Sequence, residues 1–437
     1  MPSCLIVNPV SNANILVRYL KRKGVDCYAI IELEKVAQIP KLSSKKKGEF
    51  QADLYKEIFT CEEQLPPIDS GLFDAVLPGS ENGVFLAEKL AARYSFVGNN
   101  PETSLLRRHK DEMQHSLANS GLAFIPTTVV KSKIDAISAL EQWHHYPCIF
   151  KPQSSAGGEG VQRCNNFNEL KYAIDNASWG KFSATWTTND NFLIQPMIPG
   201  SEYVVDLVAY AGAYFISAVC RYVRGDELNI EHCDFVKKFT FMLPLDSPVS
   251  VVLANYAKRA AEALDITYGA VHMELVMGED GPVMIEAGAR IHGTITPKLF
   301  MDSYTPSLLD QLYDVYFGDP RELKDSVLVA PAVVSDVICI SGGVCSSSEA
   351  QISEELSGLK SFKGYSCLID LGDEYVVTHD LFTSPMNACF CDVDTNQLWA
   401  DVCAFDRVAE RLLDGVAFSA ENWLSIRSIY EAYLKPT

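Results

Sequence analysis

Apolar positions along the chain recur in two rhythms. Leu5–Val7 is a short unbroken apolar run, Ile15–Lys23 repeats with a helical period, and the run from Val25 is continuous again. That order predicts a strand, a helix and a second strand, a βαβ opening. The tract Lys41–Phe50 reads as a solvated loop. The stretch FDAVLPGSENGVFLAEKLAARYSFVG then repeats strand, turn, helix and strand, so residues 1–105 form a small α/β domain. In SLLRRHKDEMQHSLANSGL, a helix stopped by Gly121, Leu106, Lys110, Met113 and Leu117 fall at i, i+4, i+7 and i+11 and share one face. Lys110 thus sits inside an apolar stripe. Two readings stay open there: a stem snorkelling to water, or an ammonium held in a site.

Short strands and helices from Pro126 to Phe192 form a lid-sized unit, and with the linker helix they define residues 106–192. Residues 193–437 are richer in strands. FLIQPMIPGSEYVVDLVAY and AYFISAVCRYVRG are long strand candidates, followed by helices at Val251–Leu264 and near Pro306–Phe317. Beyond Val327 strands alternate with Gly/Ser loops, and a helix at Trp423–Leu434 closes the chain.

Composition narrows the function classes. A net charge of −19 argues against a nucleic-acid surface, which needs clustered Lys and Arg. The 13 cysteines show no Cys-x-x-Cys pair and no zinc spacing, which reads as free thiols in a reducing cytoplasm. No window reaches the 18 or so apolar residues of a membrane span, and the N-terminus lacks the pattern of a signal peptide.

Two segments carry the chemistry. In PCIFKPQSSAGGEGVQRC, Lys151 ends a strand and a glycine loop, Ser154–Gly160, follows it. The order is wrong for a P-loop or for Gly-x-Gly-x-x-Gly. In Tyr268–Thr294, two alternating runs flank GEDG, read as a hairpin with the three-residue loop Glu279–Gly281. Centring it on Asp280 pairs Gly278 with Pro282, Val276 with Met284, and Glu274 with Glu286. The two glutamates then face each other with Cβ atoms about 5 Å apart, while Met273, Leu275, Ile285 and Ala287 point into a core. Facing carboxylates repel unless a cation lies between them, and a divalent ion with oxygen ligands fits. Solvation on a wet sheet face is the alternative. Arg290 shares the parity of Glu286.

Taken in order, HKDEM, PCIFKPQSSAGGEGV, LIQPMIPGSEY, HMEL and IEAGARIHG resemble the ATP-grasp superfamily of carboxylate–amine ligases. The resemblance implies an α/β and α+β chain: an N-terminal βαβ domain like that of biotin carboxylase, a small lid and a larger β-rich catalytic domain. It implies that Lys110 and Lys151 contact ATP phosphates under a flap carrying Ser154, Ser155, Gly157 and Gly158. It further implies that Gln195, Met197 and Ile198 form the adenine hinge, that Glu202 binds ribose, and that Glu274 and Glu286 hold Mg²⁺, with Mn²⁺ as an alternative. Arg290 matches the arginine that stabilises the transferred phosphoryl group. Many members carry Asn where this chain has Gly288, leaving a second ion to Glu286, phosphates and water.

Within the superfamily the chain is most similar to L-amino-acid ligases, through SENGVFLAEKLA, GNNPE and EAGARIHG. That implies a cytoplasmic dipeptide synthetase, compatible with a homodimer, whose partners are small amino acids and not nucleic acid or membrane. Another carboxylate/amine pair, bicarbonate, or a non-catalytic nucleotide-binding regulator are the alternatives. His232, His272 and His292 lie near the site in sequence without an assigned role.

Overall fold

The computed structural model describes residues 1–10, 12–38, 50–61, 68–230, 233–413, 416 and 420–435. The tract Lys41–Phe50, apart from Phe50 itself, and His232 lie outside them. Near the N-terminus, Ser3–Val7, Asp26–Glu32, Ile58–Cys61 and Ala75–Pro78 form a parallel sheet. The helix Ala13–Arg22 supplies the crossover between the first two of these strands, and the helix Val84–Arg93 follows the last of them. The strand expected after the second helix does not form; the chain from Tyr94 to Asn100 runs as turn and coil.

A second correction concerns the linker. Pro101–Arg107 is a 3₁₀ turn, and the α-helix begins only at Lys110 and runs to Asn119. Leu106 therefore belongs to the turn, and Lys110 owes its place to the helix N-terminus rather than to a mid-helix stripe. Arg107 explains the break. Its fully buried guanidinium bonds Glu88 through Nε at 2.6 Å, and the carbonyls of Asn100, Leu264 and Asp265 at 2.6, 3.0 and 3.1 Å. Five donors in a rigid fork tie the N-terminal unit to the helix Pro248–Ala263 and its exit turn.

Thr128–Val130, Phe192–Pro196, Cys148–Pro152 and Gln162–Cys164 form a four-stranded antiparallel sheet backed by the helices Lys133–Gln142 and Phe167–Asn176. The largest sheet has eight antiparallel strands, in the order Gly281–Gly288, Tyr268–Gly278, Ser201–Tyr210, Ala213–Arg224, Lys237–Leu243, Ala332–Asp336, Met386–Cys391 and Phe362–Cys367. Its strands alternate between two cores. Val205, Leu207, Met273 and Leu275 pack on one face, and Val204, Val208, Ala218 and Cys220 on the other. The C-terminal strands thus extend one continuous sheet. Among the described residues no helix is long and apolar enough to cross a membrane.

Candidate active site

A cleft of about 250 Å³ opens between the four-stranded and eight-stranded sheets. Its walls gather Lys110, Lys151, Ser155, Gly157, Gly158, Gln195, Met197, Ile198, Glu202, Glu274, Glu286 and Arg290. Ser154 is not on the wall. Its Oγ accepts a hydrogen bond from Arg108 at 3.4 Å instead.

Glu274 and Glu286 are direct cross-strand partners, as the alternation requires. The rest of the hairpin register differs. Gly278 pairs with Gly281 around a two-residue turn, and Val276 and Leu275 pair with Val283 and Met284. A bulge between Glu274 and Leu275 restores the register at Glu286. The bulge also exchanges two side chains: Met284 is fully buried in the core, while Ile285 lines the cleft. Met284 stays inside because its N–H donates to Tyr256 Oη at 3.2 Å and its carbonyl accepts from Gln114 Nε2 at 2.9 Å.

Cations surround the pair. Lys110 Nζ lies 2.8 Å from Glu286 Oε2 and donates to the Ser155 carbonyl at 2.9 Å. Lys151, 4% exposed, has no ion pair or hydrogen bond to its ammonium among the described residues. Burial, then the charge of Lys110, lower its pKa to about 8. Glu202 is buried and pairs with Arg224, so it is not a surface salt bridge. Burial pushes the Glu274 carboxyl up, but the hydrogen bond and charge of His272, with Arg224 and Lys237, outweigh it and hold it at about 2.

The glycine loop curls over this end of the cleft. Gly157, Gly158 and Gly160 all adopt positive φ, 66°, 82° and 71°, a conformation that disfavours side chains. The Gly157 carbonyl accepts from Leu381 N–H at 3.0 Å, so a C-terminal segment meets the loop. At the hinge, the Met197 amide donates to the Pro147 carbonyl at 3.0 Å. The Ile198 amide has no partner among the described residues. The Gln195 side chain donates away, to Thr127 Oγ1 at 2.7 Å.

Two groups escaped the sequence analysis. Glu81, from the N-terminal unit, joins Arg108 and Arg290, with Arg290 Nε at 2.8 Å from Oε2. Burial raises its pKa, but the two guanidinium groups outweigh this and hold it at about 2. The second is Asp206, fully buried in the strand Ser201–Tyr210. Its carboxylate receives Nδ1 of His272 at 3.0 Å and Nδ1 of His292 at 2.7 Å. The His272 Nε2 is thereby turned toward Glu274, at 3.5 Å, and the His292 Nε2 toward Tyr222 Oη, at 3.2 Å. Burial depresses both imidazoles. At His272 the Asp206 charge wins and the pKa rises; His292 falls to about 4 and is neutral. The ligand atoms of Asp206, His272 and His292 lie within 4.8 Å of one another, but these hydrogen bonds account for the cluster. A lone acid in the apolar run VVDLVAY was the signal available for it.

A family model described as ATP-grasp domain matches residues 144–298. The L-amino acid ligase from Bacillus licheniformis superposes on 96% of this chain and 99% of its own, with a TM-score of 0.70 at 16% identity. This chain has the ATP-grasp fold. A second superposition is with N5-carboxyaminoimidazole synthase from Aspergillus clavatus in complex with ADP and 5-aminoimidazole ribonucleotide, with a TM-score of 0.68 at 12% identity over 94% of this chain and 99% of that one. In sequence, the chain is 30% identical to Dapdiamide A synthase of Enterobacter agglomerans over 269 residues, 61% of this chain and 62% of that protein. It is 26% identical to the D-alanine–D-alanine ligase of Wigglesworthia glossinidia brevipalpis over 196 residues, 43% of this chain and 52% of that one. The matched stretches thus span less than two thirds of each relative's length. The ATP-grasp match contains Lys151, Glu274, Glu286 and Arg290, whereas Glu81 and Lys110 lie upstream of it.

Proposed function

We propose that the protein is an ATP-dependent ligase that joins the carboxylate of one amino acid to the amine of another and releases ADP and phosphate. The observation that carries this reading is the convergence of Lys110, Lys151, Arg290 and the facing Glu274 and Glu286 on one cleft. The amino-acid ligases among the relatives support the substrate class.

In this reading the adenine meets the Ile198 amide, Glu202 faces the ribose, and Lys110 and Lys151 meet the phosphates under the glycine loop. Glu274 and Glu286 suit a hard divalent cation: both are carboxylates, they face each other, and Glu274 is held ionised. Bound there, Mg²⁺ or Mn²⁺ would neutralise charge on the terminal phosphates. Arg290 stabilises charge on the transferred group, and Glu81 fixes its guanidinium. The carboxylate oxygen of the first amino acid forms a bond to the γ-phosphorus as the bond to ADP breaks. The amine of the second then bonds the acyl carbon, the carbon–oxygen bond to phosphate breaks, and phosphate leaves. Positioning does most of the work, and no side-chain nucleophile is needed. The 13 cysteines, mostly buried and in no disulfide, support a reducing, cytoplasmic setting.

The test is a screen of amino acids, singly and in pairs, for ADP and phosphate release with MgATP, with peptide identified by mass spectrometry. ADP release and peptide from a specific pair is the expected result. Turnover only with bicarbonate or a non-amino-acid carboxylate would move the reading to another carboxylate/amine pair, and nucleotide binding without turnover on any substrate would favour a regulator.

A further inference from the structure

Asp336 ends the strand Ala332–Asp336, lines the cleft and is 1% exposed. Neither of its carboxylate oxygens has a well-formed hydrogen bond among the described residues. Its cross-strand partner Asn387, also buried, leaves Oδ1 without a donor. Asn387 gives Asp336 only a weak side-chain hydrogen bond, and a buried carboxylate so thinly partnered is costly, so such a group at a cleft wall marks a place for a cation. Burial pushes the Asp336 pKa up, and the nearby charges of Lys237 and Lys238 with the Asn387 side-chain hydrogen bond do not cancel this.

Neither lysine ammonium reaches its carboxylate oxygens. Lys238 Nζ is held by Asp406 at 2.8 Å, the Asp336 main-chain carbonyl at 2.8 Å and Ser335 Oγ at 3.2 Å. Lys237 Nζ stands over the Tyr222 ring, 4.7 Å from its centre, and its charge acts on Glu274 as well as on Asp336. Lys237 thus lies within charge range of both Glu274 and Asp336. The two Asp336 oxygens offer acceptors on the cleft wall to a primary ammonium, which has three donors. One carboxylate beside a lysine is a poor cage for a divalent ion, which takes six or more oxygens. The carboxylate nearest Arg290, that of Glu81, is already bonded to two guanidinium groups.

We infer that Asp336 binds the ammonium of the amino acid whose amine attacks and takes a proton from it, which frees the lone pair that bonds the acyl carbon as the bond to phosphate breaks, with Lys237 facing that substrate's carboxylate. The subsite rests on the ligase reading above and adds to it which wall receives the second substrate.

Hydroxylamine separates the two questions, because it traps an acyl phosphate as a hydroxamate without an α-ammonium or carboxylate to recognise. With the amino-acid pair found by the screen, hydroxamate and dipeptide are measured for the wild type and for Asp336→Asn. The ratio of dipeptide to hydroxamate should fall roughly tenfold or more, through the KM of the attacking amino acid, as expected for losing a charge-assisted bond. Lys237→Gln should narrow the preference for the free amino acid over its amide as the attacking substrate. An unchanged ratio in Asp336→Asn, or an equal fall in hydroxamate and dipeptide with ATP-analogue binding intact, overturns the subsite. Absence of hydroxamate from the wild type instead defeats the ligase reading, and the subsite falls with it.

Discussion

A Cβ on residue 288 would stand 2.6 Å from Glu81 Oε2, so Gly288 makes room for the Glu81 carboxylate. That acid is locked between Arg108 and Arg290, and any side chain at 288 must displace it. Gly288→Ala is therefore expected to lower kcat about a hundredfold by moving Arg290, with little change in the fold. Glu81→Gln should lower kcat in the same direction. Steady-state kinetics beside a thermal melt checks both; wild-type kcat in Gly288→Ala would contradict the relationship.

Lys151 gives a pH signature. Its folded pKa of about 8 lies below the ordinary lysine value, and a bound polyphosphate would raise it. Binding therefore takes up a proton near that pH. Nucleotide affinity should be full below pH 8 and weaken as pH rises through the range between the free and bound pKa values. Titration of a fluorescent ATP analogue from pH 6.5 to 9.5 measures this. Lys151→Arg, charged throughout, should flatten the profile, and an equally steep fall in that variant would assign the effect elsewhere.

His272 is expected to act on the metal through Glu274. Held by Asp206, its Nε2 faces Glu274 Oε1, and removing such a partner typically costs about 10- to 100-fold in metal affinity. His272→Asn should weaken Mn²⁺ binding by that factor, read by paramagnetic resonance without turnover, and raise the Mg²⁺ needed for activity. Unchanged Mn²⁺ affinity would reduce the Asp206–His272 pair to a structural role.

The glycine loop should tighten when nucleotide binds. The Leu381 amide meets the Gly157 carbonyl, and the Val161 amide bonds the Gly158 carbonyl at 3.1 Å. Hydrogen exchange at these amides should slow with an ATP analogue present. Strong, equal protection with and without it would rule out a gating loop. Gly157→Val should also impair turnover, since a Cβ there meets Leu381 Cβ at 3.1 Å and the backbone has φ 66°.

Local patterns were readable where a period and a turn sufficed. Alternation around GEDG placed Glu274 opposite Glu286, and the strand ending in Lys151 before glycines located the loop. The bulge was not readable, because Val283, Met284 and Ile285 are all apolar and no alternation marks which one is doubled. The helix start at Lys110 was missed because Leu106 fits a helical stripe equally well; the buried bonds of Arg107 that break the helix come from residues far along the chain. Glu81 and Arg290 are 209 positions apart, and Asp206 and His292 are 86 apart. Contacts of that kind are made by sheet order, which periodicity does not specify. Asp336 was silent for the same reason: its meaning lies in which partners it lacks.

The central claim is activation of a carboxylate at the γ-phosphorus of ATP. Of the residues assigned to catalysis, Glu286 is paired with Lys110, and the Ile198 hinge assigned to adenine meets the strand of Glu274 further along, at Gly278. The most direct measurement uses an amino acid labelled with ¹⁸O in its carboxylate, MgATP and the attacking amino acid. One labelled oxygen should appear in inorganic phosphate, with ADP and a dipeptide as the other products. AMP and pyrophosphate, with the label in AMP, would contradict the account.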